Sequence, residues 1–172
     1  FAQLRGMFAL VVYDRLSDDV ILVRDRLGEK PLCYWQGDGA IFLSSEQSAL
    51  VRSGIVPLEV NSAALYGYLL HGFTPEPGSL ISGVRKVPAG HYLRISSESG
   101  SVAEYQYWDP RDDVSDQLLS DDDLACALQD AIVSTCTSDV AVGIALSGGL
   151  DSSLVAAVAA SARADLRAFT VG

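Results

Sequence analysis

The 172-residue chain is long enough for one large domain or two small ones. Hydrophobic residues make up 49% of it and charged residues 20%, which supplies a core and argues against disorder. A net charge of −10 with no basic cluster weighs against a nucleic-acid partner, whose affinity comes largely from grouped Lys and Arg.

The densest charge is acidic, at Asp109–Asp116 and Asp121–Asp123. Three widely spaced cysteines, Cys33, Cys126 and Cys136, fit thiols packed in a reducing compartment, the cytoplasm, better than a disulfide framework. There is no CxxC, and His71 and His91 lie apart, so a zinc site has no support. No apolar run is long enough to cross a bilayer. The chain opens on Phe1 without Met and closes one residue past a strand-like LRAFTV, so both ends are expected to cut through folded structure.

The first half reads as β-rich. Met7–Tyr13 and Val20–Val23 are short apolar runs separated by the polar DRLSDD, a hairpin pattern. The charged loop RDRLGEKP follows; read as a plain hairpin loop it would pair Asp25 with Arg24, Arg26 or Lys30 at the surface, and a structural, non-catalytic role is expected of it. Two more strands, LCYW and AIFLS, flank the turn QGDG, and Ser45 is expected to cap a short helix from Glu46. Asn61 should cap a helix carrying Leu65, Tyr66, Leu69 and Leu70. After the Pro/Gly loop TPEPGS, strand pattern returns at His91–Ile95, where His91 reads as a strand-edge residue, and again in VAEYQYW. The polar stretch DPRDDVSDQ then marks a domain boundary.

Beyond it the pattern changes. Ser120 followed by Asp123 makes a capping-box start, with acids in the first turn favouring the helix dipole. Leu124, Leu128 and Ile132 repeat every four residues and predict the buried face. Then come the apolar strand VAVGIAL, the loop LSGGLDSSL, an Ala-rich helix and the strand LRAFTV, the pattern of a βαβ unit with a parallel sheet.

The loop is where chemistry concentrates. Backbone N–H groups at a helix start lack intrahelical partners, and the helix dipole places partial positive charge there, so an anion is favoured. Gly148 and Gly149 let the backbone come close to a phosphate, while Ser147, Ser152 and Ser153 add rotatable hydroxyl donors. Asp151 would repel phosphate unless a cation intervenes, and Mg²⁺ suits one carboxylate plus phosphate oxygens. There is no lysine of the Walker type. The plainer reading is a turn in which Gly, Asp and Ser act only as turn and cap residues.

SGGLDSS resembles the pyrophosphate-binding loop of the ATP pyrophosphatase (PP-loop) group, and the segments before it narrow the choice. LRGMFALVVYD, RDRLGEKPLCYW, FLSSEQSAL, GFTPEPGSLISGVRKVPAGHYL and YWD, in that order, resemble glutamine-hydrolysing asparagine synthetase across almost the whole chain. The resemblance implies an α+β Ntn-hydrolase-type stacked-sheet domain, part of a class II glutamine amidotransferase, over residues 1–110. A linker at 111–119 and the first part of an α/β parallel-sheet PP-loop domain (adenine nucleotide alpha hydrolase-like) at 120–172 would follow.

It also implies a reaction. Ammonia freed from glutamine would pass through a tunnel to an aspartate activated by ATP as β-aspartyl-AMP, with pyrophosphate released. Ser147, Gly148, Gly149, Asp151, Ser152 and Ser153 would hold pyrophosphate and its Mg²⁺, the metal through Asp151. Leu146 and Val171 match family positions that frame the adenylate, although core packing alone would account for apolar residues there. Partners would be aspartate, glutamine and ATP, with no nucleic acid or membrane, and the resemblance leaves room for a homodimer.

The nucleophile of a class II glutaminase is an N-terminal cysteine, expected before Phe1, so no catalytic residue is assigned within these residues. Cys33 stands where the family usually has Tyr, Ser48 where it has Lys, and PAGH replaces the commoner PPGH. This stretch by itself is expected to be inactive. Two other readings compete. One is an amide- or lactam-forming relative of secondary metabolism with a silent glutaminase domain; the other is a nucleotide-binding protein without catalysis.

Overall fold

Short apolar runs broken by polar turns give the first half its hairpins. A computed structural model describes residues 1–112, 114 and 118–171, which fall into two compact units, Phe1–Val114 and Ser115–Gly172. Asp113 and Ser115–Gln117, part of the expected linker, lie outside the described residues.

In the first unit, β1 (Ala9–Asp14) and β2 (Asp19–Arg24) pair antiparallel, with Ala9 opposite Arg24 and Asp14 opposite Asp19. The Asp14 carboxylate accepts from the Leu16 N–H at 2.9 Å and from the Ser17 hydroxyl, which closes the turn locally. Then β3 (Cys33–Gly37) and β4 (Ala40–Ser44) form a second hairpin, followed by α1 (Gln47–Arg52) and α2 (Ser62–His71). Three more strands complete the unit: β5 (Val84–Lys86), β6 (His91–Ser96) and β7 (Val102–Gln106). The two antiparallel sheets run β1-β2-β6-β7 and β4-β3-β5.

Alternation along the strands builds two layers of core. Leu22, Leu93 and Ile95 of one sheet meet Tyr34 of the other, with Leu32 and Val87 between them. On the opposite face of the second sheet, Cys33 and Val84 pack against Leu50 of α1 and Val56. Each fully buried aliphatic side chain of this kind contributes about 1.5–3 kcal/mol.

Several expectations shift. Glu46, not Ser45, is the N-cap of α1, and the Ser44 hydroxyl accepts the Glu46 N–H. Strand β5 is absent from the sequence reading because its three residues, Val84–Lys86, are too few to carry a visible period. Asn61 caps α2 through a 3.2 Å bond from the Ala64 N–H, but the helix buries none of its residues, Leu65, Tyr66, Leu69 and Leu70 included.

The largest correction concerns RDRLGEKP. Asp25 is 1% exposed and, among the described residues, forms no ion pair; its carboxylate accepts the N–H groups of Phe8, Leu27, Glu29 and Lys30 at 3.0–3.2 Å. Burial alone would disfavour its charge, but the four donors outweigh it and hold the pKa below the ordinary 3.8. Arg24, also buried, donates to the carbonyls of Lys30, Gly28 and Val87 and to the Glu76 carboxylate at 2.6 Å. At Gly90, φ is +68° and a Cβ would lie 2.6 Å from the Trp108 carbonyl oxygen, so glycine is required there.

The second unit contains α3 (Asp121–Thr135), β8 (Gly143–Ala145), α4 (Leu150–Ala162) and β9 (Arg167–Phe169). Strands β8 and β9 are parallel, as a crossover through α4 demands. Ile132 and Cys136 pack on Ala159, whose small side chain lets the helices approach, with Ile144 and Leu166 at the margin. Only Ile132 of the expected α3 stripe is buried; Leu124 and Leu128 are exposed because α4 covers just the C-terminal end of that face. Strand β8, read as buried, is largely exposed; among the described residues its one strand neighbour is the three-residue β9. Cys126, expected to pack, is exposed, whereas Cys33 and Cys136 are buried; all three are free.

The capping box at α3 is complete: the Asp123 N–H donates to Ser120 Oγ at 3.1 Å and the Ser120 N–H to the Asp123 carboxylate. Ser120→Ala is expected to lower the melting temperature of this unit by about 3 °C, read by far-ultraviolet circular dichroism. Ser120→Asp, which keeps an acceptor, should restore it.

Candidate functional site

The loop LSGG is the junction between β8 and α4. The Leu146 N–H donates to the Phe169 carbonyl at 2.8 Å, which continues the β8–β9 ladder one residue further before the chain turns. Gly148 makes the turn with φ +80° and no atom near the position of a Cβ. α4 then starts at Leu150 with Gly149 as its N-cap.

This helix start differs from the other long ones. Asn61 and Ser120 satisfy N–H groups with their side chains, whereas Gly149 has no side chain to do so. The first-turn N–H groups therefore face outward at the positive end of the helix dipole. Around them the hydroxyls are held in a local network. Ser147 and Ser152 hydroxyls lie 3.0 Å apart, Ser152 also donates to the Gly149 carbonyl, and Ser153 donates to that same carbonyl at 2.7 Å. Asp151 sits exposed in the first turn.

Seven of the eight expected site residues are thus gathered at one helix start: Leu146, Ser147, Gly148, Gly149, Asp151, Ser152 and Ser153. Leu146 is half-buried beside β9. Val171, just past β9, is exposed among the described residues. Extending the β8–β9 register by two residues sets Val171 level with Ser147. Among the described residues no group of three or more His, Cys, Asp or Glu could hold a metal unaided, and no helix is long and apolar enough to cross a membrane. The function of the Arg24–Asp25 pair as a buried organiser was missed from the sequence; its charged surroundings masked it.

Comparison with known proteins shows what the chain is similar to. Residues 1–108 match the family described as glutamine amidotransferase domain, and residues 123–172 match asparagine synthase. Glutamine-hydrolyzing asparagine synthetase 2 of Bacillus subtilis (strain 168) is 35% identical over 179 residues, covering 96% of this chain and 24% of that protein. Asparagine synthetase 1 of the same organism is 31% identical, covering 99% and 27%. Asparagine synthetase B of Escherichia coli (strain K12) is 32% identical, covering 91% and 24%. The chain spans about a quarter of the length of these relatives. A solved structure of the allosteric regulatory enzyme of purine biosynthesis overlaps at 17% identity with a TM-score of 0.30, covering 88% of this chain and 29% of that one, too little to bear on the fold. With a glutamine amidotransferase stretch followed by an asparagine synthase stretch, the chain belongs to the glutamine-hydrolysing asparagine synthetase family.

Proposed function

We propose that the protein carrying this chain is a ligase that makes asparagine from aspartate, using ATP and ammonia released from glutamine. The observation that carries the reading is the uncapped start of α4, placed directly after the Gly148 turn and ringed by Ser147, Ser152 and Ser153. In this reading the first unit is the Ntn-type glutaminase portion and the second opens the PP-loop domain, with the boundary near residues 111–119.

A free carboxylate resists attack by ammonia, so it is first joined to AMP, a good leaving group. Charge develops on the departing pyrophosphate, and stabilising it lowers the barrier. The N–H groups at the start of α4 take the pyrophosphate oxygens. The three serine hydroxyls, now turned toward one another and toward the Gly149 carbonyl, rotate to donate to it. Leu146 and Val171 border the adenylate.

Asp151 fits Mg²⁺: it is a single exposed carboxylate beside phosphate-binding donors, and this ion takes one or two carboxylates with phosphate oxygens. Bound there, the ion would neutralise charge on the leaving pyrophosphate. A cytoplasmic homodimer completes the proposal, on the resemblance alone.

The full-length protein with glutamine, ATP and Mg²⁺ is expected to form AMP and pyrophosphate only when aspartate is added, as followed by phosphorus NMR. AMP formed without aspartate, from another carboxylate, would favour a lactam- or amide-forming relative. ADP, or no turnover with any carboxylate, would remove the adenylating mechanism.

A further inference from the structure

The two sheets of the first unit are open along one side, where β5 and β7 are both edge strands. Val84 faces α1, so by alternation Arg85 turns toward the other sheet. Val102 packs on the intersheet core, so Glu104, two residues along, turns the same way. Arg85 stands directly opposite Tyr34 in the β3–β5 register, which makes the two side chains neighbours on one face. Together these residues line a cleft of about 480 Å³, within the size range of small-molecule sites. Gln36 donates to the Gly100 carbonyl at 3.0 Å and ties the two sheets together beside it.

Tyr34 is the independent sign of a ligand. Its residue is 6% exposed, with the ring packed among Leu22, Leu93 and Val87. Its hydroxyl makes no hydrogen bond to another described residue and is open to the cleft that Tyr34 lines, where a ligand can meet it. Burial pushes this phenol's pKa up, while the Arg85 and Glu104 charges that share its cleft act on it in opposite directions. Among the described residues Arg85 and Glu104 form no ion pair with each other; Glu104 approaches only His91, at 4.0 Å. A cation and an anion face one cleft, separated by more than a salt bridge, with a phenol between them.

We infer that this cleft binds a free α-amino acid, its carboxylate on Arg85 and the Tyr34 hydroxyl and its ammonium on Glu104. A guanidinium can take a carboxylate through two parallel bonds, which fixes the orientation of the ligand. The cleft uses none of the residues given to the nucleotide, so it would serve as a sensing site beside the proposed chemistry. It stands whether or not the ligase reading does.

The test is calorimetric titration of the full-length protein with L-alanine, whose side chain offers nothing specific to the proposed substrate sites. Binding is expected with a dissociation constant on the order of 1 mM. Alaninamide, which lacks the carboxylate, and N-acetylalanine, which lacks the ammonium, should bind at least about tenfold more weakly. Arg85→Gln and Glu104→Gln should each weaken alanine by about tenfold or more, and Tyr34→Phe, which keeps the ring, by about threefold to tenfold. Both charged residues are exposed, so these variants should keep the parent melting temperature. No heat with alanine would overturn the inference, as would equal binding by parent and all three variants. So would variants that self-associate while still binding alanine, because inward charges would then only guard the sheet edges.

Discussion

Asp25→Ala is expected to lower the unfolding free energy by about 3–5 kcal/mol, the range seen when a buried charge network loses one partner. The carboxylate holds four N–H groups, two on each oxygen, and removing it strands all four away from water. The backbone around it is committed as well, since the Asp25 carbonyl accepts from Gly28 and Gly90 and its N–H donates to Phe8. Asp25→Asn should do nearly as badly, because an amide NH₂ would face donors where an oxygen now accepts. Urea unfolding monitored by tryptophan fluorescence measures both.

The pH dependence follows with a definite sign. The folded-state pKa of Asp25 lies below its ordinary 3.8, so the folded state prefers the ionised form. Its contribution is fully present above the unfolded-state value and is lost as pH falls through the folded one. Parent stability should therefore fall below about pH 4, and Asp25→Ala should flatten that part of the profile.

Asp151→Asn is expected to reduce aspartate-dependent AMP formation by about 10²-fold or more, since it removes the only carboxylate of the loop. The residue is exposed, so the melting temperature should stay at the parent value and a folding defect would be separable from a chemical one. Gly148→Ala is the companion variant. At φ +80° an alanine costs about 1–2 kcal/mol, although the space around it is open. Its effect should fall mainly on ATP binding, because the turn that presents the helix start would relax. If Asp151→Asn kept full activity, the metal role would have to pass to a residue elsewhere.

Hairpins with polar turns were legible because strand period and turn chemistry agree: Val20–Val23 and His91–Ile95 lie within β2 and β6. Both side-chain caps, at Asn61 and Ser120, were legible for the same reason, as each acceptor sits three residues before the N–H it takes. In RDRLGEKP the surface pairing of Asp25 fails because composition reports how many charges a segment has, not where they point. Asp25 is buried by contacts from Phe8 and Gly90, distant in sequence, and no local pattern announces them. The exposed Leu124 and Leu128 show the converse, since a helical period marks a face able to be buried without supplying its cover. Seven of the eight residues assigned to the candidate site lie together simply because they form one continuous stretch, and the roles given to them rest on the resemblance. The Tyr34 cleft has no such local signal, because it joins β3 and β5 of one sheet with β7 of the other.

The loop built around Asp25 and Arg24 also has a consequence for motion. Its amide protons at Leu27, Glu29 and Lys30 are locked onto a carboxylate buried with the sheets, and the Tyr107 hydroxyl clamps the Arg24 carbonyl at 2.7 Å. Deuterium can replace those protons only when that part of the core opens, so the loop exchanges on the clock of the sheets and not on that of the surface. A connection that looks like a solvated hairpin tip is thereby as rigid a part of the first unit as the strands it joins.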